Sequence, residues 1–313
     1  MLTIVIFTKN RKKYLDQLMS DILSTKLNIK IYIINYLVGE RKQFLLKKKY
    51  FQSNIKIIYD PTSIQFSKKV YKYIKYVKTK FVWFISDDDR IEPEYIKKLL
   101  NFLKKNNQSG YTINNTPFKN EDNILREKIY EIKKIRIKLI KEIHKLGLIS
   151  SQIFNIEKFN RIKKDLNKNL LFNNGYPHVY IALLLNKKFN DWCQIKNKIV
   201  YVRYGNLSAY SDNNKILDRL DYEFRGYLEP LKKIYNDKIY NKFYKKIFFK
   251  NIISWILFSL EKNGKFKTFQ ILKKNRILIP KILSTSIITK ILFFVPVKVL
   301  IIVKKIKNIL IKF

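Results

Sequence analysis

Three consecutive carboxylates, Asp87, Asp88 and Asp89, follow the apolar run Phe81-Val82-Trp83-Phe84-Ile85-Ser86. Ionised carboxylates this close repel one another, and the arrangement is costly unless a cation neutralises it. Oxygen donors alone suit Mg²⁺ or Mn²⁺, which keep open positions for water and phosphate. A D-x-D spacing at the end of a buried strand therefore has the chemistry to hold a diphosphate. The other reading is a solvated acidic turn leading into the helix that Pro93 opens. There Glu92 and Glu94 sit near the positive end of the helix dipole.

Elements that would present such a turn can be read on both sides of it. Residues 2–7 form a β-branched run suited to a central parallel strand. Leu15, Leu18, Ile22 and Leu23 share one face of a following helix. Strands are expected at Ile29 to Ile34, Ile55 to Tyr59 and Phe81 to Ile85, with helices at Phe44 to Tyr50 and Ile64 to Val77 between them. Such alternation predicts an α/β fold with a mainly parallel central sheet, whose ligands bind beyond the carboxyl ends of the strands. Further on, residues 127–146 read as a Lys-rich amphipathic helix burying Ile132, Ile135, Leu139, Ile143 and Leu146. Ile149 to Phe154 and Lys198 to Tyr204 read as strands, and Val179 to Leu185 as an apolar helix. Helical patterns dominate from residue 206, which divides the chain into domains at 1–205 and 206–313.

The segment Leu2-Thr3-Ile4-Val5-Ile6-Phe7-Thr8-Lys9-Asn10-Arg11, with Leu15 and Leu18 after it, resembles the opening of family-2-type GT-A glycosyltransferases. Phe81 to Asp89 resembles the aromatic-then-triple-Asp segment of their abequosyltransferase-like branch, and Pro177-His178 resembles a Pro-His pair found there. The resemblance covers about residues 1–205. It implies a GT-A (nucleotide-diphospho-sugar transferase) fold and a metal-dependent, inverting hexosyl transfer. The donor would be a nucleotide-sugar and the acceptor a lipid-linked or surface-polysaccharide glycan. The chain departs from the family in three places. Asn35 stands where an Asp usually reads the base, with Glu40 five residues on. Asp60-Pro61-Thr62-Ser63-Ile64-Gln65 replaces a Gly-rich segment, and the paired acidic motif that often supplies the base has no counterpart.

On that resemblance, Thr8, Asn10, Arg11, Asn35, Asp87 and Asp88 are expected to bind the donor. Asp89 is expected to ligate Mg²⁺ or Mn²⁺, with Asp87 as the second metal contact, holding sugar, ribose or a metal-bound water. An inverting transfer needs a base to deprotonate the acceptor hydroxyl. His178 titrates in the right range and Asp191 is its substitute, although a histidine beside an apolar helix also serves as a structural residue. His144 is assigned to the surface. Arg203 is either a phosphate clamp or a member of a structural ion pair.

Composition sets the surroundings. The 313 residues carry a net charge of +41, pI about 10.0 and 47% hydrophobic residues, too apolar for a disordered chain. Such charge attracts nucleic acid, anionic lipid or phosphate-bearing substrates. A single cysteine, Cys193, excludes an intrachain disulfide and any cysteine-based zinc site. The apolar run at the N-terminus is too short for a signal peptide, which predicts a cytoplasmic catalytic part. Residues 262–313 hold 13 Lys or Arg and no Asp or Glu, and Lys290, Pro296 and Lys298 interrupt their apolar stretch. That pattern predicts a helical region lying on an anionic membrane, peripheral to the cytoplasmic face of the inner (plasma) membrane. A helical cap on the globular domain and a true span are the alternatives. Two other functions compete: a basic nucleic-acid-binding protein and an inactive membrane-associated scaffold. With basic residues spread along the whole chain and no recognisable nucleic-acid motif, no nucleic-acid partner is expected.

Overall fold

The computed structural model describes residues 1–9, 11–35, 52–60, 66–118, 131–137, 143, 145–203, 221, 224–247, 253–275 and 296. The chain divides into two compact units, one of residues 1–172 and 177–206 and the other of 173–176 and 207–313.

The first unit is organised by a nine-stranded sheet in the order β3-β2-β1-β4-β8-β6-β9-β5, with β7 also on β9. Its centre is β1 (Leu2–Thr8), every residue of which is buried, as an apolar strand covered on both faces requires. β2 (Lys30–Asn35) and β4 (Phe81–Ser86) flank it in parallel, and β3 (Ile55–Tyr59) extends β2 in parallel. The register aligns Thr8 with Asn35 and Phe7 with Ser86, so the carboxyl ends of β1, β2 and β4 finish level. Helices α1 (Lys12–Ser24), α2 (Phe66–Tyr76) and α3 (Pro93–Lys105) each bury one stripe. In α3 the stripe is Tyr95, Ile96, Leu99 and Leu103, at helical spacing, and Pro93 and Glu94 stand in the first turn.

The sheet is mixed: the pairings among β1 to β4 and that of β6 with β9 are parallel, and the shorter ones antiparallel. β8 (Gln152–Asn155) runs antiparallel to both β4 and β6 (Gly110–Phe118). β9 (Cys193–Arg203) is parallel to β6 but antiparallel to β5 (Arg90–Ile91) and β7 (Lys134–Arg136). Strand runs announce that strands exist but not which way each enters, so the alternation of the first ninety residues does not extend to the rest. β6 and β9 meet around Trp192, whose indole N–H donates to Thr112 Oγ1 at 2.9 Å. Gly110 makes room for that ring, since a Cβ there would lie 2.3 Å from it.

Among the described residues of 127–146 the expected helix is not formed. Lys134–Arg136 is a strand, and Ile135 on the supposed inner face is exposed while Ile132 and Ile137 are buried. Ile135-Arg136-Ile137-Lys138-Leu139 alternates with period two, the strand signal that a helical reading of the lysines overrode. The strand expected at Ile149 to Phe154 begins with a 3-10 turn, Ile149–Ser151, before β8. The strand expected from Lys198 starts five residues earlier. The helix expected at Phe44 to Tyr50 lies outside the described residues. Helices α4 (Ile156–Ile162), α5 (Lys168–Phe172) and α6 (Pro177–Phe189) complete the unit.

From residue 221 onward most of the described residues of the second unit are helical. A π-helical turn, Phe224–Leu228, leads into α7 (Glu229–Ile234), followed by α8 (Asp237–Ile247) and α9 (Ile253–Lys274). Gly264 interrupts α9 with φ 73°, a conformation only glycine adopts readily, and Ser259 and Thr268 meet across the break at 2.9 Å. Tyr176 packs on Tyr227 and against Gly226, where a Cβ would fall 2.0 Å from its ring. Among the described residues no helix is long and apolar enough to cross a membrane. The basic tail from residue 276 lies outside them apart from Pro296.

Candidate active site

The level carboxyl ends of β1, β2 and β4 decide which of the expected residues meet. Thr8 ends β1 and Asn35 ends β2; both are buried, and the Asn35 carbonyl accepts the Asp60 N–H at 2.8 Å. Past β4 the chain turns tightly, with the Asp89 N–H donating to Ser86 O at 3.2 Å, and so delivers Asp87, Asp88 and Asp89 to the same edge. Arg11, between β1 and α1, reaches across to them. Its Nη1 lies 3.0 Å from Asp87 Oδ1 and 2.8 Å from Asp88 Oδ2. Asn10 lies outside the described residues.

The turn is fixed from three further directions. The Ser86 hydroxyl donates to Asp88, and the Ser86 N–H donates to Ser150 Oγ at 2.9 Å. The Ser150 hydroxyl also holds the Asp89 carboxyl's pKa down, and Asp89 Oδ1 accepts the Arg203 N–H at 3.1 Å. The Arg203 side chain sits between the rings of Tyr14 and Phe118, 4.5 Å from each. It donates to Asp88 O at 3.1 Å and to Gln17 Oε1 at 3.3 Å. Through these contacts the guanidinium braces the acidic turn against α1 and the end of β6. On the near side of α3, Arg90 grips Asp21 with two bonds of 2.6 Å.

Burial governs the electrostatics. It raises the Asp87 carboxyl to about 6, against the lowering effect of Arg11 and the Thr8 hydroxyl. Asp89 is raised to about 7, first by burial and then by the charge of Asp88. Asp87 Oδ2 and the Thr8 hydroxyl are buried without a hydrogen bond of normal geometry, so one carboxylate oxygen is left for another partner. This fits a divalent cation held by one or two carboxylates and completed by phosphate oxygens and water. An all-protein cage is not built, since among the described residues no three His, Cys, Asp or Glu converge.

The two expected bases are not brought to this turn. Asp191 precedes β9 at the opposite end of the sheet, where Tyr111 at the start of β6 pairs with Cys193. There it accepts the Ser109 N–H at 3.0 Å and pairs with Lys158, away from the acidic turn. His178 opens α6 with only 2% of its surface exposed, and a ring nitrogen meets Gly147 O at 3.2 Å. Burial lowers its pKa to about 4. It lies behind the segment that carries Ser150. His144 lies outside the described residues. Sequence reasoning missed Ser150, Gln17, Tyr14 and Phe118, whose residue types carry no signal without the fold.

Residues 3–170 match the family model described as Glycosyl transferase family 2. A search of curated proteins finds no match. Among solved structures, S. aureus TarS superposes with a TM-score of 0.59 at 14% identity, over 90% of this chain and 50% of that one. This chain thus spans half the length of TarS. The 1–349 part of S. aureus TarS in complex with UDP-GlcNAc gives a TM-score of 0.63 at 14% identity, over 96% and 87% of the two chains. Its complex with UDP gives 0.55 at 15% identity, over 89% and 83%. At these identities the likeness concerns the fold, which is of GT-A type with a mixed sheet.

Proposed function

Because the chain belongs to glycosyl transferase family 2, we propose that it moves a sugar from a nucleotide-sugar donor to a lipid-linked or surface-polysaccharide glycan, with inversion and with help from Mg²⁺ or Mn²⁺. The observation that carries this reading is the meeting of Thr8, Arg11, Asn35 and Asp87 to Asp89 at one sheet edge. S. aureus TarS has been solved with UDP-GlcNAc, which makes a uridine-diphosphate sugar the first donor to try. The finer placement in an abequosyltransferase-like branch rests on Phe81 to Asp89 and on Pro177-His178.

In this reading Asp87 and Asp89 hold the ion, which when bound neutralises charge on the departing diphosphate. Asn35 supplies an amide able to pair with a base edge, and Thr8 stands beside Asp87. Ser150 and Arg203 keep the turn from spreading as its charges change. His178, neutral near pH 7 and buried, supports the Ser150 segment through Gly147 and is a positioning residue. The basic residues of 262–313 are proposed to hold the protein on an anionic cytoplasmic membrane surface near a lipid-linked acceptor.

The test is a thermal-shift screen of nucleotide-sugars with and without Mn²⁺, since a ligand that binds only the folded state raises the midpoint. A metal-dependent rise with one donor, lost in Asp89→Ala, is the expected outcome. No rise with any donor in a folded protein would favour the inactive-scaffold reading.

A further inference from the structure

The cation that the acidic turn holds in this structure belongs to the protein itself. One guanidinium nitrogen of Arg11 bridges Asp87 Oδ1 and Asp88 Oδ2, and the three side chains are 18%, 3% and 13% exposed. Guanidinium usually meets a carboxylate through two parallel bonds from its fork. Here a single nitrogen lies between two carboxylates, as a small cation would, and Asp87 Oδ2 makes no hydrogen bond of normal geometry.

We propose that Arg11 is the turn's resident counter-cation, which a divalent ion must displace before the donor is fully held, and that the displaced guanidinium then pairs with the donor's diphosphate. The inference rests on the metal reading given above. Either oxygen of Asp87 brings a divalent ion within a few ångströms of the guanidinium, where like charges repel strongly at low dielectric. Arg11 cannot yield by losing its proton, because guanidinium stays charged throughout the working range of a protein. It can yield only by moving. Its main chain opens α1 with φ −119° and ψ 45°, its carbonyl accepting the Leu15 N–H at 3.0 Å, so the movement falls to the side chain. Displacement and diphosphate binding are thereby coupled: the ion alone meets a competing charge, whereas ion and diphosphate together give that charge a new partner. A ligand that favours one of two arrangements raises the affinity of the other ligand sharing it.

The experiment measures Mn²⁺ affinity of the full chain, with and without UDP, by titration calorimetry and by the loss of the free-ion paramagnetic resonance signal. In the wild type, Mn²⁺ alone is expected to bind weakly and UDP to strengthen it. Arg11→Gln is expected to bind Mn²⁺ alone on the order of tenfold more tightly, while UDP adds less than in the wild type. Arg11→Lys, which keeps the charge, is expected to resemble the wild type toward Mn²⁺ alone. Should Arg11→Gln fail to fold, Asp88→Asn loosens the hold on Arg11 and is also expected to tighten Mn²⁺. Equal or weaker Mn²⁺ binding in the folded variant, with Mn²⁺ still bound by the wild type, overturns the inference and leaves the metal reading standing. Failure of every form to bind Mn²⁺, even with UDP, removes both.

Discussion

Asp87 and Asp89 hold protons in the folded protein that the unfolded chain has already released. Their folded pKa values, about 6 and about 7, lie above the ordinary 3.8. Their contribution to stability is therefore complete below about pH 4 and is lost as pH rises through 6 and 7. The metal-free midpoint should fall between pH 4 and pH 7.5, and Asp89→Asn should flatten that fall. On the proposed metal reading, added Mn²⁺ should favour the ionised form and restore the loss at pH 7.5. A wild-type slope unchanged in Asp89→Asn would sever the turn from the effect. His178 gives the opposite expectation at the level of catalysis. With its pKa near 4, it adds no inflection to a pH–rate profile between 5 and 8. His178→Ala should destabilise by roughly 1–3 kcal/mol, since the Gly147 carbonyl loses its buried partner. Activity should fall in step with the folded fraction. A stable His178→Ala protein slowed a hundredfold would return His178 to the chemistry.

At the scale of elements, the sheet edge depends on close approaches that tolerate little added volume. Gly110→Ala would push a methyl carbon to 2.3 Å from Trp192 and 2.9 Å from Ile153 O. Overpacking of that kind should cost about 1–3 kcal/mol by urea denaturation, with the donor edge, at the other end of β6, largely unaffected. A neutral Gly110→Ala would mean that Trp192 has room to turn. The parts of this architecture legible in the sequence share one cause. β1 and β4 are continuous apolar runs and α3 a helix of regular apolar spacing, bounded by Thr8, by the acidic turn and by Pro93, so pattern alone defines them. β6 went unread although Tyr111, Ile113 and two threonines favour a strand, because Asn114, Asn115 and Pro117 look like a loop. Asn114 and Asn115 coincide with the register shifts at Ile113 to Asn115, where the strand departs from regular pairing with β9. The acidic turn, Arg11 and Arg203 were visible as residue types with a chemical use. What Arg203 and His178 do was not, since that depends on which main-chain carbonyls the fold sets beside them.

At the scale of the whole molecule, charge makes the clearest prediction. With 13 basic and no acidic side chains in residues 262–313, the full chain should bind anionic vesicles, each lysine near the surface adding about 1 kcal/mol. Co-sedimentation should weaken as salt rises, and truncation at residue 262 should abolish it; neutral vesicles held equally well would point to apolar insertion instead. The path of the chain carries another consequence, felt during synthesis. Residues 173–176 belong to the second unit, although the chain returns to the first for 177–206. Tyr176 packs on Tyr227, 51 residues further on (227 minus 176). At about 5–20 residues per second, the ribosome needs roughly 3–10 s to make the partner of a ring already emerging. During that interval the nascent first unit carries an uncovered tyrosine beside Pro177, the first residue of α6. A chaperone that recognises exposed aromatics on growing chains would find its foothold there, and ribosome pauses between codons 177 and 226 would lengthen the time it has.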